Sequence, residues 1–287
     1  MTTARVIVTR PARDAAQWVR QLQQAGIAAE AFPLIEIAPL SGAASVQALH
    51  DAWKAMGDYA ACMFVSGHAV EHFFKENAAF VHADSAQEAI NTIANHTFRP
   101  VPPGMRFMAP GPGTVAALLA AGIPAAQMDA PPPDASQFDS EALWQVIGQR
   151  DWQGRRVLIV RGQSTGAPGN TSGRDWIVRQ WEAAGARVDF VGVYQRLPPV
   201  LNEAQIERAR QAGTDGSVWL FSSSEAVANL RQLAGLQGMD WRGARAVATH
   251  PRIAEAVRAA GWGVVVESRP ALKDIRQTLG SIESHYP

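Results

Sequence analysis

Arg5-Val-Ile-Val-Thr-Arg10-Pro11, near the start of the chain, returns in the second half as Arg156-Val-Leu-Ile-Val-Arg161-Gly162. Each segment is a short aliphatic run followed by a turn, and each leads into a helical stretch that ends in Ala-Gly, at Ala25-Gly26 and Ala184-Gly185. A repeat of roughly 140 to 160 residues is far longer than the units of about 20 to 50 residues that build solenoids. The sequence therefore predicts two copies of one α/β unit.

The similarity between the two halves continues beyond these first segments. Phe64-Val-Ser66-Gly-His-Ala69-Val70 is matched by Phe221-Ser-Ser223-Ser-Glu-Ala226-Val227, and the segment Ala109–Gly122 is matched by Ala248–Gly261. The strand-like runs are continuously apolar, which is typical of strands that are covered on both faces in a parallel sheet. Alternation of such strands with helices predicts a doubly wound α/β fold, present twice.

The predicted strands and helices alternate along the whole chain. The strands are Val6–Thr9, Cys62–Ser66, Arg106–Ala109, Val157–Val160, Val218–Phe221, Ala246–Thr249 and Val264–Val266. The helices, identified by the helical spacing of their apolar residues, are Ala12–Ala25, His68–Phe74, Thr114–Ala121, Glu141–Gln149, Asp175–Ala184, Glu225–Leu233, Ile253–Ala260 and Leu272–Leu279. We also expect an additional helix at 85–95 and a mobile loop or flap at the Gly/Ser/Pro-rich segment 163–173.

Composition excludes several classes of protein. A chain of 287 residues that is 47% hydrophobic can bury two cores, because domains cluster near about 100 to 150 residues. The formal net charge is zero, so the broad basic field of a general nucleic-acid binder is absent. The single cysteine, Cys62, allows neither an intrachain disulfide nor a cysteine metal cluster. Because no leader and no apolar run of about 18 residues is visible, we expect a soluble cytoplasmic protein without a membrane segment.

Two Pro-bounded extended segments are expected to connect the lobes. Phe32–Leu40 follows the first βαβ pattern of the chain, and its repeat counterpart is Phe190–Pro199. Their equivalence in the duplication predicts that they pair as two strands. The expected first lobe therefore joins residues 1–35 to 198–287, the second lobe spans 41–191, and the connecting strands are 33–40 and 192–198.

Chemistry should concentrate at the turns between strands and helices. Ligands of open parallel sheets bind beyond the carboxyl ends of the strands, where helix N-termini present unpaired N–H groups and partial positive charge. The six turns of this kind are Thr9-Arg10-Pro11, Ser66-Gly67-His68, Gly111-Pro-Gly113-Thr114, Arg161-Gly162, Ser222-Ser223-Ser224 and His250-Pro251. Any one of them can be explained as a helix cap with Pro in the first turn, but together they favour an anion-binding cleft.

Three other patterns do not change this interpretation. His68-Ala-Val-Glu71-His72 fits the H-x-x-E-H pattern of certain zinc peptidases, but the repeat copy lacks both histidines, so we expect no metal. Gly111–Thr114 lacks the lysine of a P-loop and the third glycine of a dinucleotide fingerprint, so we expect no nucleotide cofactor. Several tryptophans lie in helical stretches and are interpreted as core or lobe-interface residues, not as base-stacking surfaces; they are Trp18, Trp144, Trp176 and Trp181.

The chain resembles the uroporphyrinogen-III synthase family over nearly its whole length. The features that carry this resemblance are the opening Thr9-Arg10-Pro11, Phe32-Pro33-Leu34-Ile35, Phe64–Val70, Gly111–Thr114, Leu158–Gly162, Val193-Tyr194-Gln195-Arg196 and the final block with Pro251, Ala254 and Gly261. The resemblance implies two similar flavodoxin-like parallel-sheet lobes joined by a two-stranded linker. It also implies an enzyme, a cyclising hydro-lyase without a cofactor, that closes hydroxymethylbilane to uroporphyrinogen III with inversion of the terminal pyrrole ring and loss of water.

The resemblance also implies roles for individual residues. Tyr194 matches the tyrosine thought to donate a proton to the leaving hydroxyl, although it can also be a linker aromatic packed between lobes. The residues expected to bind substrate carboxylates are Thr9, Arg10, Ser66, Gly67, His68, Gly113, Thr114, Arg161, Ser222, Ser223, Ser224 and His250. At His250-Pro251-Arg252-Ile253 the chain departs from the hydroxyl-rich turn of the family. Each arginine can instead pair with a local carboxylate.

A competing interpretation is a non-catalytic two-lobed protein that closes on a small polyanionic ligand. It predicts the same fold but no requirement for Tyr194 and no turnover. On the enzyme interpretation, the partners are the linear tetrapyrrole substrate and the preceding pathway enzyme, which hands the substrate over. We expect a monomer that binds neither nucleic acid nor membranes.

Overall fold

The computed structural model describes residues 5–84, 104–164 and 172–285. In chain order, its strands and helices are β1 (Val6–Val8), α1 (Ala12–Gln24), β2 (Ala29–Ala31), β3 (Glu36–Ala38), α2 (Ala43–Lys54), β4 (Ala61–Phe64), α3 (Gly67–Asp84), β5 (Arg106–Met108), α4 (Pro112–Ala120), β6 (Met128–Asp129), α5 (Ser140–Ile147), β7 (Arg156–Ser164), α6 (Ser172–Ala183), β8 (Arg187–Leu197), α7 (Glu203–Gln211), β9 (Val218–Phe221), α8 (Ser224–Gln232), β10 (Arg245–Ala248), α9 (Pro251–Ala259), β11 (Val264–Glu267) and α10 (Leu272–His285). Short 3-10 helices cover Met56–Asp58 and Ala125–Gln127.

The chain forms two compact units. Unit 1 comprises Met1–Ile37 and Leu197–Pro287, and unit 2 comprises Ala38–Arg196. The chain passes from one unit to the other within β3 and again at the end of β8. The two sheets are doubly wound α/β sheets, as the sequence predicts.

The sheet of unit 1 has the order β2-β1-β9-β10-β11, with every neighbouring pair parallel. Numbered within the unit, this is the 2-1-3-4-5 order of flavodoxin-like folds. Alternate strand residues serve opposite faces. Ile7 and Trp219 pack with α7, α8 and α9, whereas Val8 and Leu220 pack with α1 and α10. Burial on both faces explains the continuously apolar strands.

The sheet of unit 2 has the order β3-β8-β7-β4-β5-β6. If β7, β8, β4, β5 and β6 are numbered 1 to 5, their order in the sheet is again 2-1-3-4-5. Unit 2 therefore has the same fold, but its chain forms the third strand, β4, before the first strand, β7. This order explains the sequence repeat, because β1 corresponds to β7, β9 to β4 and β10 to β5. Helices α5 and α6 pack on the face of Ile159, and α3 supplies Phe73 and Phe74, which contact Phe64 on the other face.

The amino ends of the strands carry equivalent ion pairs in both units. Arg5 lies 3.7 Å from Glu30 across β1 and β2, and Arg156, its repeat counterpart, lies 2.7 Å from Asp189 across β7 and β8. In unit 2, Arg156 also lies over the ring of Tyr59. Burial and the nearby Asp189 raise the pKa of Tyr59 to about 12. This edge is built from charge pairing within each unit.

Within the described residues, every predicted strand and helix overlaps an observed one, but two strands and two α-helices were not predicted. These are β2, β6, α2 and α7. Helix α7 buries only Ala209, so its apolar periodicity is weak; its capping box, Asn202 with Gln205, was the available signal. Strands β3 and β8, which overlap the two Pro-bounded segments, are neighbours in the six-stranded sheet.

Two predicted features fall partly or wholly outside the described residues. These are the helix at 85–95 and positions 165–171 of the loop at 163–173. Among the helices of the described ranges, none combines the length and the apolar character that a membrane span requires.

Candidate active site

Each sheet has a topological switch point, which is a pair of neighbouring strands whose following connections lead to opposite sides of the sheet. It lies between β1 and β9 in unit 1 and between β7 and β4 in unit 2. Ligands of such sheets bind beyond the carboxyl ends of these strands. In unit 1 these ends lead into Thr9-Arg10 and Ser222-Ser223, and in unit 2 into Arg161-Gly162 and Ser66-Gly67. The predicted site residues therefore divide between two edges, one in each unit.

Tyr194 occupies the edge of unit 2 because of a one-residue register shift between β7 and β8. Arg161 pairs with Gly192, but the next residue, Gly162, pairs with Tyr194. Val193 has no partner in this register, and both Val193 and Tyr194 are buried. Since paired residues share a face, the shift moves Tyr194 from the face of Arg161 to the face of Gly162. An extra residue of this kind re-aims a side chain.

The Tyr194 hydroxyl meets a serine at the start of a helix. Tyr194 Oη lies 3.2 Å from Ser66 Oγ, and either atom can be the donor. Ser66 Oγ also accepts a 3.1 Å hydrogen bond from the N–H of Ala69 in the first turn of α3. Ser66 therefore joins the phenol to the positive end of a helix.

Two histidines of α3 flank the tyrosine ring. The centroid of the His72 ring lies 5.4 Å from that of Tyr194, and the centroid of the His68 ring lies 6.0 Å from it. Both histidines of the H-x-x-E-H segment thus face an aromatic ring. No group of three or more metal-binding side chains comes together among the residues that the structure describes.

The N-termini of α3 and α4 lie side by side in unit 2. A Cβ placed on Gly67 would lie 3.6 Å from the Gly113 carbonyl oxygen and 3.5 Å from Ala117 Cβ. Small residues at these positions allow the two helix starts to approach. Thr114 is buried in the first turn of α4, so this turn presents backbone more than side chain. Adjacent helix starts favour binding of an anion.

Arg161 lies at the same edge but on the opposite face from Tyr194. Its guanidinium carbon is 4.6 Å from the centroid of the Phe190 ring, and Phe190 is 44% exposed. An arginine stacked on an exposed aromatic ring keeps its N–H groups directed outward. The arrangement suits a carboxylate at the rim of unit 2.

The edge of unit 1 uses its first predicted donor internally. Thr9 is buried, and its hydroxyl donates a 2.8 Å hydrogen bond to the carbonyl of Leu220. The N–H of Thr9 points to the same carbonyl at 3.4 Å. The only hydroxyl hydrogen of Thr9 therefore joins β1 to β9 and is not available to a ligand.

Arg10 is half-buried beside the same turn. Its guanidinium carbon lies 4.7 Å from the centroid of the Trp18 ring, and its Nε is buried without a hydrogen-bond partner. Burial lowers the pKa of Arg10, and the nearby Asp14 carboxylate opposes that shift. Arg10 is thus a cation with an unused donor at the start of α1.

Two of the remaining unit 1 residues, Ser223 and His250, are helix caps. Ser223 accepts a 3.2 Å hydrogen bond from the N–H of Glu225 at the start of α8, between the half-buried Ser222 and Ser224. His250 Nδ1 accepts a 3.2 Å hydrogen bond from the N–H of Arg252 at the start of α9. An imidazole nitrogen therefore takes the capping role at the turn where the chain departs from the hydroxyl-rich pattern.

Sequence reasoning identified Tyr194 and Ser66 separately but did not pair them. It also missed Gly162 and His72 as neighbours of the tyrosine ring. The available signal was Gly162 itself, because a glycine inside a strand often marks a close approach of another group. The edge of unit 2 thus joins a phenol, a capping serine and two helix starts, which is a combination suited to proton donation beside bound anions.

Comparison with known proteins identifies the family of the chain. A family model described as uroporphyrinogen-III synthase HemD matches residues 16–277. A mutant uroporphyrinogen III synthase from the extremely thermophilic bacterium Thermus thermophilus is 16% identical, with 98% of this chain and 99% of that chain covered and a TM-score of 0.57. The uroporphyrinogen-III synthetase from Helicobacter pylori is 10% identical, with 97% and 99% covered and a TM-score of 0.45. The Thermus structure has the same fold. Because the family model spans nearly the whole length, this chain belongs to the uroporphyrinogen-III synthase family.

Proposed function

We propose that this chain is a hydro-lyase that cyclises hydroxymethylbilane to uroporphyrinogen III with inversion of the terminal pyrrole ring. Family membership supports an enzyme of tetrapyrrole synthesis that acts on a linear tetrapyrrole. The observation that carries the catalytic assignment is the contact between Tyr194 and Ser66, 3.2 Å long, at the start of α3. Nothing observed in the chain favours the non-catalytic binding protein.

The first chemical step is loss of the hydroxyl from the terminal hydroxymethyl group. Hydroxide is a poor leaving group, so a proton donor accelerates its departure as water. Tyr194 supplies the proton, the C–O bond breaks, and the pyrrole nitrogen supplies the electron pair that forms the azafulvene in its protonated, cationic form. Tyr194 is left as a phenolate.

Ser66 is suited to stabilise that phenolate. Its oxygen already accepts the N–H of Ala69, so its own hydrogen is available for the Tyr194 oxygen. When Ser66 is the donor, the Tyr194 hydrogen is available to the substrate. The hydrogen bond from Ser66 strengthens as negative charge develops on the Tyr194 oxygen. The positive end of α3 favours the same charge.

The later steps return the proton. The last pyrrole attacks the azafulvene through its substituted carbon and gives a spiro intermediate, which fragments and recloses in the opposite orientation. The reclosed ring loses a proton from carbon, and the Tyr194 phenolate accepts it. Over the cycle, one hydroxide and one proton leave the substrate as water, and the tyrosine is restored.

Holding the flexible substrate is the other task of the protein. We infer that substrate carboxylates bind the N–H groups at the starts of α3 and α4 in unit 2 and of α8 and α9 in unit 1. Arg161 and Arg10 add charge at these edges. When the protein holds the ends of the substrate, the spiro route is favoured over simple head-to-tail closure, because positioning removes much of the entropic barrier.

The test is a coupled assay with hydroxymethylbilane generated in situ, followed by oxidation and separation of the type I and type III uroporphyrin isomers. Predominantly type III product is expected. Y194F should lower kcat about 100-fold, the usual scale of general acid catalysis, with KM little changed. Y59F is the matched control, since Tyr59 lies at the opposite edge of the same sheet beside Arg156. Only type I product at the uncatalysed rate would support the binding-protein alternative.

Three further expectations belong to this proposal. We infer a monomer located in the cytoplasm that receives its substrate from the preceding enzyme of the pathway. Sedimentation of the purified chain tests the first. Acceleration of type III formation by the preceding enzyme, at a fixed concentration of free substrate, tests the hand-over.

A further inference from the structure

Gly162 leaves the space that the Tyr194 ring occupies. A Cβ placed on Gly162 would lie 2.4 Å from Tyr194 Cε2, 2.5 Å from Cζ and 2.9 Å from the hydroxyl oxygen. Carbon atoms in favourable contact are about 3.5 to 4.0 Å apart. A methyl group at this position therefore overlaps the outer half of the ring, which carries the reactive hydroxyl.

The close approach follows from the strand register. Gly162 and Tyr194 are direct partners across β7 and β8, after the shift that leaves Val193 unpaired. Their side-chain directions coincide, so the phenol lies across the Gly162 backbone. The register and the glycine are therefore required together.

Neighbouring groups limit how the ring can move aside. Tyr194 is 3% exposed, with His72 and His68 on α3 against its ring. Its hydroxyl is held 3.2 Å from Ser66 Oγ. To restore an ordinary contact with an added methyl group, the ring must move by about 1 Å, which takes the hydroxyl away from Ser66.

The backbone at Gly162 does not itself require glycine. Its φ angle is not in the positive range in which side chains are strained, so alanine suits the backbone, and the tyrosine ring is the group it meets. In unit 1 the position equivalent to Gly162 is Pro11. Val188 of β8 and Ala29 of β2 are equivalent, because they pair with the repeat counterparts Val157 and Val6. Six residues further along, the equivalent residues are Tyr194 in unit 2 and Ile35 in unit 1. The glycine thus occurs in the copy that carries the tyrosine.

We propose that Gly162 is a positioning residue that sets the place of the Tyr194 hydroxyl against Ser66 and the substrate. The inference rests on the proposed function, because it assigns a role through Tyr194. Displacement of a reacting group by about 1 Å can cost about 100-fold in rate. G162A should therefore approach the defect of Y194F while the fold and substrate binding are kept.

The experiment is a double-mutant cycle in the isomer assay, with wild type, G162A, Y194F and G162A/Y194F. We expect kcat of G162A to fall about 100-fold with KM within about twofold. The double variant should be no slower than Y194F, because the hydroxyl on which G162A acts is already absent. G57A is the matched control, since a Cβ at Gly57 in the same unit has no atom within 4 Å.

The outcomes separate the two proposals. If Y194F is as fast as wild type, the proton-donor assignment fails, whatever G162A does. If Y194F is slow but G162A is not, or if the two defects multiply in the double variant, the positioning role of Gly162 is overturned. If G162A does not fold, the double variant G162A/Y194A tests whether the tyrosine ring is the cause, because it removes the ring that the added methyl group would meet. Recovery of the fold with the kcat of Y194A supports the ring as the group that the methyl displaces, and failure to recover contradicts it.

Discussion

The carboxyl edges of the two units are built on the same frame but put it to different uses. In unit 1 the Thr9 hydroxyl and the Asn229 amide each donate a 2.8 Å hydrogen bond to a backbone carbonyl, of Leu220 and Leu34 respectively. In unit 2 the equivalent position to Asn229, six residues after the capping serine, is His72, which lies against the Tyr194 ring. The equivalent position to Thr9 is Val160.

The difference teaches where a duplicated fold can place chemistry. Polar side chains in unit 1 satisfy the backbone and close the edge, whereas in unit 2 two hydroxyls face each other at a helix start. A hydroxyl that is committed to the backbone is unavailable to a substrate. We therefore expect unit 1 variants to act mainly on stability and unit 2 variants mainly on turnover.

The largest expected effect on stability is that of N229A. The variant leaves the buried Leu34 carbonyl without its amide partner, which should cost about 2 kcal/mol. Thermal unfolding followed by circular dichroism measures it. H72A is the matched variant in unit 2 and should lose less than half as much, because His72 is half-buried. Equal losses would contradict a structural role that is particular to unit 1.

The two capping serines provide the next comparison. S66A and S223A each remove one cap to an N–H in a first helical turn, so each should cost about 1 kcal/mol of stability. S66A should also lower kcat about tenfold, since a hydrogen bond to a charged group contributes about 1.5 to 3 kcal/mol. S223A should act on KM more than on kcat. Matching kcat values for the two variants would argue against the link between Ser66 and Tyr194.

T9V makes the edge of unit 1 resemble that of unit 2. The substitution keeps the shape of the side chain but removes the hydroxyl that bonds to Leu220. The Thr9 N–H still points to the same carbonyl, so the loss should be limited to about 1 kcal/mol. Denaturant unfolding measures it. An unchanged midpoint would mean that the hydroxyl does not hold the two strand ends together.

The smallest effect concerns the opposite edge and depends on pH. Burial works to raise the pKa of Asp189, but hydrogen bonds and charge from Arg156 outweigh it and lower that pKa. A lowered carboxyl pKa contributes stability above the unfolded value of about 3.9 and loses it as pH falls through the folded value. D189N should therefore be less stable at pH 7 by under about 1 kcal/mol. The difference should shrink in melts below about pH 4. A constant difference down to about pH 2 would exclude this pair as its source.

Most of the fold could be predicted from the sequence because the repeat fixed the equivalence of the strands. Arg5–Pro11 and Arg156–Gly162 each lie at the first strand of a 2-1-3-4-5 sheet. The polar helix α7 was missed because burial of Ala209 alone leaves little periodicity. Pattern reasoning of this kind works where burial is repeated along an element.

The site was less predictable because its contacts depend on details that periodicity does not record. Strict alternation from Val191 would put Tyr194 on the same face as Arg161, and only the register shift at Gly162 moves it to α3. The hydroxyl of Thr9 looked available for a ligand, yet its acceptor belongs to a residue 211 positions further along the chain. Gly162 signals that some group approaches the strand closely, but it does not identify the register, and nothing in the sequence near Thr9 identifies its acceptor.

The order in which the units are threaded has a consequence for synthesis on the ribosome. Strand β1 pairs with β9, and the Thr9 and Leu220 groups that join them are 211 residues apart. At about 5 to 20 residues per second, the aliphatic first strand is made about 10 to 40 seconds before the partner that covers its edge. All residues of unit 2 are translated in that interval. The nascent chain must therefore keep one unfinished half from aggregating while the other half completes, and chaperones have time to act on it.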